Sequence, residues 1–338
     1  MKKFIKNLNL ALFAVMTLSL TLMAAGCSNK KSGSTGEAGS LNKAERLVIG
    51  HIPNIFPVII AYEKGFFKDE FGDTLQIEIP HFVNGPAQNE ALKAGQIDIA
   101  NMGDLPAVQL WASDTDIQVI SYLSDAPDAY SLVANKRSGI KTLADLKGKK
   151  IAVQIGSVGH KFALKVLATQ GIDANDAELV HLQRAESVIA LKQRVVDAAV
   201  LVEPVLSQIL SEDDNIVEMC TSRGYDKVYN VTFVRSEYAR ENPQIVSRYL
   251  KAIKKANDWI AQNPDEATRI VLKFMGSDDF AGTKKSLEKN IWLVAVDQEL
   301  IDRLNDTIKF CREQELITRD DLDAKNLVND AYVKEAGI

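Results

Sequence analysis

The sequence predicts an α/β protein built as two similar lobes joined by a two-strand hinge. Three observations carry this. A helix–turn–strand–loop pattern at 84–106 returns at 183–204. Each copy follows a further strand, loop and helix. The 338-residue length leaves room for two such units and a helical remainder.

The first copy reads NGPAQNEALKAGQIDIANMGDLP. Pro86 suits a first helical turn, and Gly95 stands where a helix ends on a left-handed residue. Ile97, Ile99 and Ala100 form a short strand, and Gly103-Asp104-Leu105-Pro106 turns into the next helix. The second copy, QRAESVIALKQRVVDAAVLVEP, places Ala190-Leu191-Lys192 against Ala91-Leu92-Lys93. It also places Asp197 against Asp98 and Glu203 against Asp104, each pair 99 positions apart. Upstream, Leu47-Val48-Ile49-Gly50 through Gly65-Phe66-Phe67 matches Ile151-Ala152-Val153 through Gly171-Ile172. Ligands of open α/β sheets sit beyond the carboxyl ends of the strands. The strand-end loops of both copies are therefore the candidate site.

In chain order, a strand is expected over 46–51 and one helix from Asn54 to Phe66. LQIEIP at 75–80 alternates apolar and polar residues, as a strand does. After the first copy come a helix from Leu105 to Ala112 and a strand near Ile117 to Tyr122. Asp125-Ala126-Pro127-Asp128 is a turn cluster. Tyr130 to Ala134 is a strand, and 140–150 holds a helical turn ended by Gly148. The strand Ile151 to Gln154 runs through Gly156-Ser157-Val158-Gly159-His160 into a helix reaching Thr169. Glu178 to His181 is a strand. After the second copy come a helix from Glu203 to Leu210 and strands at Ile216–Glu218 and Tyr229–Arg235. Helices at 246–260, 264–274 and 299–313 show 3.6-residue spacing. Trp259, Trp292 and Phe310 are expected to pack in the core. The lobes are expected at 46–127 with 231–338, and at 128–230, with crossings near Pro127 and Asn230.

Apolar residues make up 46% and charged residues 25% of the chain, with a net charge of −5. That is ordinary globular composition, and it gives nucleic acid no basic surface to bind. The N-terminus reads as a leader: Lys2, Lys3 and Lys6, an apolar run from Leu10 to Met23, then Ala24-Ala25-Gly26-Cys27. The run is too short to span a bilayer comfortably. Residues 1–27 are expected to be a signal peptide with a lipidation box, and 28–45 a flexible tether. Cys220 and Cys311 either pair or stay free thiols.

Three loops place backbone N–H groups at helix starts, where the helix dipole favours anions. They are Asn84-Gly85-Pro86, Gly103-Asp104-Leu105 and Gly156-Ser157-Val158-Gly159. Asp104 and Glu203 are carboxylates suited to accept hydrogen bonds from a ligand. Arg184 could pair with an anionic group, and His160 sits one turn into its helix. Asn54, at a helix start, and Asn230, at the second crossing, complete the candidate set. The histidines show no metal-ligand spacing, so no metal or cofactor is expected. No nucleophile elbow, phosphate loop or zinc-protease motif is present.

These motifs resemble the extracytoplasmic solute-binding proteins of ABC importers. The branch they resemble is the aliphatic sulfonate, taurine and nitrate group, which also includes thiamine-pyrimidine-precursor binders. The likeness rests on Asn84-Gly85-Pro86, Glu90 to Ala100, Gly103 to Pro106 and Leu143 to Val153. It also rests on Gly156-Ser157 with His160, and on Val196-Asp197-Ala198 with Glu203-Pro204. The resemblance implies a type II periplasmic-binding-protein fold. It implies a monomer that closes around a small organic anion, most often an aliphatic sulfonate, and delivers it to an ABC permease with its ATPase. It further implies no enzymatic activity and a lipid anchor on Cys27 outside the membrane. Leu105 stands where that family's sulfonate binders usually carry Thr or Ser, and Arg184 where Pro or a small residue is common. Nitrate, a thiamine-pyrimidine-type heterocycle and an enzyme on the same scaffold are the alternatives.

Overall fold

The computed structural model describes residues 45–338. The expected leader, Cys27 and nearly all of the expected tether lie outside the described residues. The first stretch runs β1 (Arg46–Val48), α1 (Pro57–Glu63), α2 (Phe66–Phe71), β2 (Gln76–Glu78), α3 (Gly85–Lys93), β3 (Ile99–Gly103), α4 (Asp104–Ala112) and β4 (Ile117–Asp125). The single helix expected from Asn54 to Phe66 is two. Pro57 starts the first, and Gly65, at φ 78°, breaks the chain before α2. Only glycine takes that left-handed conformation at little cost.

The chain continues through β5 (Tyr130–Asn135), β6 (Lys150–Val153), α5 (Val158–Thr169), β7 (Glu178–His181), α6 (Arg184–Lys192), β8 (Ala198–Val202), α7 (Val205–Glu212) and β9 (Ile216–Thr221). Then follow β10 (Tyr229–Arg235), α8 (Ser236–Glu241), α9 (Pro243–Gln262), α10 (Pro264–Met275), α11 (Phe280–Glu288), β11 (Ile291–Trp292), α12 (Gln298–Glu313) and α13 (Ala331–Ala336). One sheet has the order β11-β4-β10-β3, and the parallel pair β1-β2 joins it through a bridge between Ile49 and Ile99. The other has the order β7-β6-β8-β5-β9. Each sheet is the centre of one lobe.

The backbone passes between the sheets twice, from β4 to β5 and from β9 to β10. The crossings are tied together: Ala126 N–H donates to Val228 O at 2.9 Å, and the Ser222 hydroxyl donates to Pro127 O at 2.7 Å. The five-stranded sheet is apolar on both faces. Leu132, Ile151 and Phe162 fill one side, and Val133, Ala152 and Leu201 the other. Such two-sided burial suits strands covered by helices on each face.

The repeat is visible in three dimensions. Helices α3 and α6 have nine residues each, and strands β3 and β8 five each. Asp98 Oδ2 accepts from Val48 N–H at 2.9 Å, and Asp197 Oδ2 accepts from Lys150 N–H at 3.0 Å. Each aspartate thus fastens the strand that opens its repeat, β1 or β6, to the strand that closes it. Helix α5 links the lobes by packing, because Val158 and Leu164 join the large core built on β3, β4 and β10. Phe310 is buried, and Trp259 and Trp292 pack half-buried against the same core. Cys220 and Cys311 are free thiols. No helix among the described residues is long and apolar enough to cross a membrane.

Candidate functional site

Three helix N-termini meet between the lobes. Asn84 caps α3 by accepting from Ala87 N–H at 2.9 Å. Its Nδ2 donates to Gln183 Oε1 at 3.2 Å. Gln183 precedes α6 and holds the position of the second repeat equivalent to Asn84. The same Oε1 accepts from Gln154 Nε2 at 2.7 Å. Gln154 O in turn accepts from the Ser157 hydroxyl at 2.7 Å, and Ser157 caps α5 through His160 N–H at 3.3 Å. A continuous hydrogen-bonded chain therefore gathers the positive ends of α3, α5 and α6, a concentration of partial charge that favours an anion.

Arg184, the first residue of α6, adds a full charge. Its Nη2 donates to Asn54 Oδ1 at 3.4 Å, and the Tyr130 hydroxyl is its other polar neighbour. Burial lowers the guanidinium's pKa, and Tyr130 opposes that shift only in part. Among the described residues no carboxylate contributes to that shift. A half-buried cation with neutral partners is stabilised by an incoming anion. His81 lies within electrostatic reach: burial and then the Arg184 charge lower its pKa. Its Nδ1 stands 3.3 Å from Nδ1 of buried His51. Among the described residues no group of three metal-ligating side chains is placed to hold a metal.

The other expected site residues are spread around this centre. A side-chain carbon on Gly85 would lie 2.7 Å from Pro106, so glycine lets α3 approach α4. One on Gly103 would lie 2.1 Å from Val158 Cγ2, so Gly103 admits α5 against β3. Leu105 is fully buried in the core. Asn230 donates to the Ser124 hydroxyl at 2.8 Å. The His160 ring accepts from Gly156 N–H at 3.4 Å and lines a crevice of about 620 Å³ with Leu164, Leu179 and Leu316. Asp104 is bonded to Lys161 and to the Thr307 hydroxyl. Glu203 faces Lys289 at 3.0 Å and Lys285 at 3.4 Å.

Sequence reasoning did not select Tyr130, Gln154 or Gln183. Gln183 had a signal, since it stands 99 positions after Asn84. Tyr130 and Gln154 had none, because only the fold carries them to Arg184 and Gln183.

Residues 52–267 match the family described as NMT1/THI5 like. The chain belongs to the NMT1/THI5-like family. A relative in Bacillus subtilis, provisionally named an aliphatic sulfonates-binding protein, is 29% identical and aligns over 95% of this chain and 96% of its own. The taurine-binding periplasmic protein of Escherichia coli is 26% identical over 66% of this chain and 69% of its own. Among solved structures, the alkanesulfonate-binding protein SsuA of Xanthomonas axonopodis pv. citri, bound to MOPS, superposes with a TM-score of 0.77. It is 23% identical and covers 85% of this chain and 99% of its own. This NMT1/THI5-like chain thus has the two-lobed fold of the SsuA-type binding proteins.

Proposed function

We propose that this protein is the solute-capturing component of an ABC importer and that its ligand is a small organic anion, an aliphatic sulfonate in the first instance. The observation that carries the reading is Arg184, a half-buried guanidinium with no carboxylate partner among the described residues, set among three helix N-termini. The names of the relatives support the same class of ligand. Asn54, Asn84, Gly85, Ser157 and Arg184 would line the ligand, with Tyr130, Gln154 and Gln183. The lobes would be 46–127 with 231–338, and 128–230, hinged at the two crossings. The ligand would be bound and released unchanged. A lipid on Cys27 would hold the monomer outside the membrane, within reach of the permease and its ATPase. Cys27→Ser should then release the protein from membranes, and a processed, membrane-bound variant would contradict the anchor.

Calorimetric titration with ethanesulfonate, taurine and nitrate tests the ligand. Ethanesulfonate should bind. Arg184→Met should weaken it by about 2 kcal/mol, roughly thirtyfold, as loss of a charge-assisted contact does. The circular dichroism spectrum should stay unchanged. Preference for nitrate would move the ligand to a smaller anion, and equal binding by Arg184→Met would remove the basis of the reading.

A further inference from the structure

Asp104 and Glu203 occupy equivalent positions of the two repeats, each at the carboxyl end of a strand, β3 in one sheet and β8 in the other. Each meets a lysine belonging to the opposite lobe. Asp104 takes Lys161 of α5, which flanks the five-stranded sheet. Lys161 also lies 3.3 Å from Asp226, in the second crossing. Glu203 takes Lys289, which stands two residues before β11 of the four-stranded sheet. We infer that the two carboxylates are reciprocal latches between the lobes, which hold the closed form and set ligand affinity without touching the ligand.

The tethers make each pair a gauge of lobe separation. Glu203 follows β8 directly, and Lys289 is nearly joined to β11, so neither backbone can follow if the sheets part. Glu203 is 1% exposed and Lys289 17%. Opening the lobes would return both to water. Around the pair the surfaces touch: a side-chain carbon on Gly282 of α11 would lie 2.8 Å from Pro204 Cβ. The Asp104–Lys161 pair is buried on both sides, at 0% and 2% side-chain exposure, and its loss would disturb the fold itself. The Glu203–Lys289 pair lies nearer the rim, so it can be altered by itself.

The inference rests on the reading that the lobes open and close around an anion. A ligand that binds only the closed form has its affinity scaled by the closed fraction. Removing Lys289 leaves buried Glu203 with only the half-exposed Lys285, 3.4 Å away, as counter-charge when closed, and so favours opening.

The test uses Lys289→Gln, with Lys289→Arg as the conservative control and ethanesulfonate as the probe. Lys289→Gln should bind about five- to thirtyfold more weakly, mainly through faster dissociation, as a lower closed fraction requires. Lys289→Arg should restore the wild-type constant. Small-angle scattering of ligand-free protein should show Lys289→Gln more expanded than wild type. Affinity within twofold of wild type would overturn the latch. If ethanesulfonate fails to bind wild type, the ligand assignment fails. The scattering comparison then decides, and equal radii of gyration would overturn the latch.

Discussion

At the scale of single residues, burial decides which groups are free to act. His51 is buried beside His81, and burial first, then the His81 charge, lower its pKa to about 3. His160 is lowered to about 4 by burial alone. In the unfolded chain both titrate near 6.5. A base whose folded pKa is depressed takes up protons on unfolding between those values, so acid favours the unfolded state. Stability should therefore be independent of these groups above about pH 6.5 and fall progressively towards pH 4. His51→Phe should flatten part of that slope in denaturant titrations across pH, and an unaltered slope would show that His51 does not contribute. Lys161 shows the opposite balance. Burial by itself lowers its pKa, but the Asp104 and Asp226 charges outweigh that and hold it above the ordinary value. Lys161→Met should destabilise the fold by about 3–5 kcal/mol, since two carboxylates would lose a buried cation. Adding Asp104→Asn to Lys161→Met should recover part of the loss. A double variant no more stable than the single would contradict the pairing.

At the scale of elements, the repeat explains why so much could be read from sequence. Ala-Leu-Lys, Asp and a terminal carboxylate recur in one register because each lobe needs the same parts: a capped helix, an anchoring aspartate and a strand-end contact. Asp98 and Asp197 make the same bond to the strand that opens their repeat, β1 and β6, and Asp98 also pairs with Arg235 at 2.7 Å. Asp98→Ala and Asp197→Ala should each cost about 1–3 kcal/mol through the unpaired backbone N–H. Asp98→Ala should cost more, because Arg235 loses the shorter of its two ion pairs and keeps only Glu237 at 3.4 Å. Hydrogen exchange should show the damage near Val48 in one variant and Lys150 in the other, and identical exchange maps would argue against separate anchors. The site was less legible than the elements. Asn84 and Ser157 announce themselves as caps before helices, and Arg184 as a cation at a loop. Nothing in the spacing shows that Asp104 meets Lys161 or that Glu203 meets Lys289. Those pairs are 57 and 86 positions apart and are made by the fold alone. The helix α11, which supplies Lys285 and adjoins Lys289, also escaped notice, because its Gly, Thr and Lys residues give a weak apolar stripe.

At the scale of the molecule, two crossings between two sheets form a hinge, and the gathered N-termini of α3, α5 and α6 lie on both sides of it. A ligand touching both lobes binds the closed form more tightly, and only that difference can drive closure. The central claim is anion capture by closure, and solution scattering titrated with ethanesulfonate tests it most directly. The radius of gyration should fall to a plateau as the ligand saturates, and Arg184→Met should need far more ligand to reach it. Saturating binding seen by calorimetry with an unchanged scattering profile would contradict closure and leave a static pocket in its place.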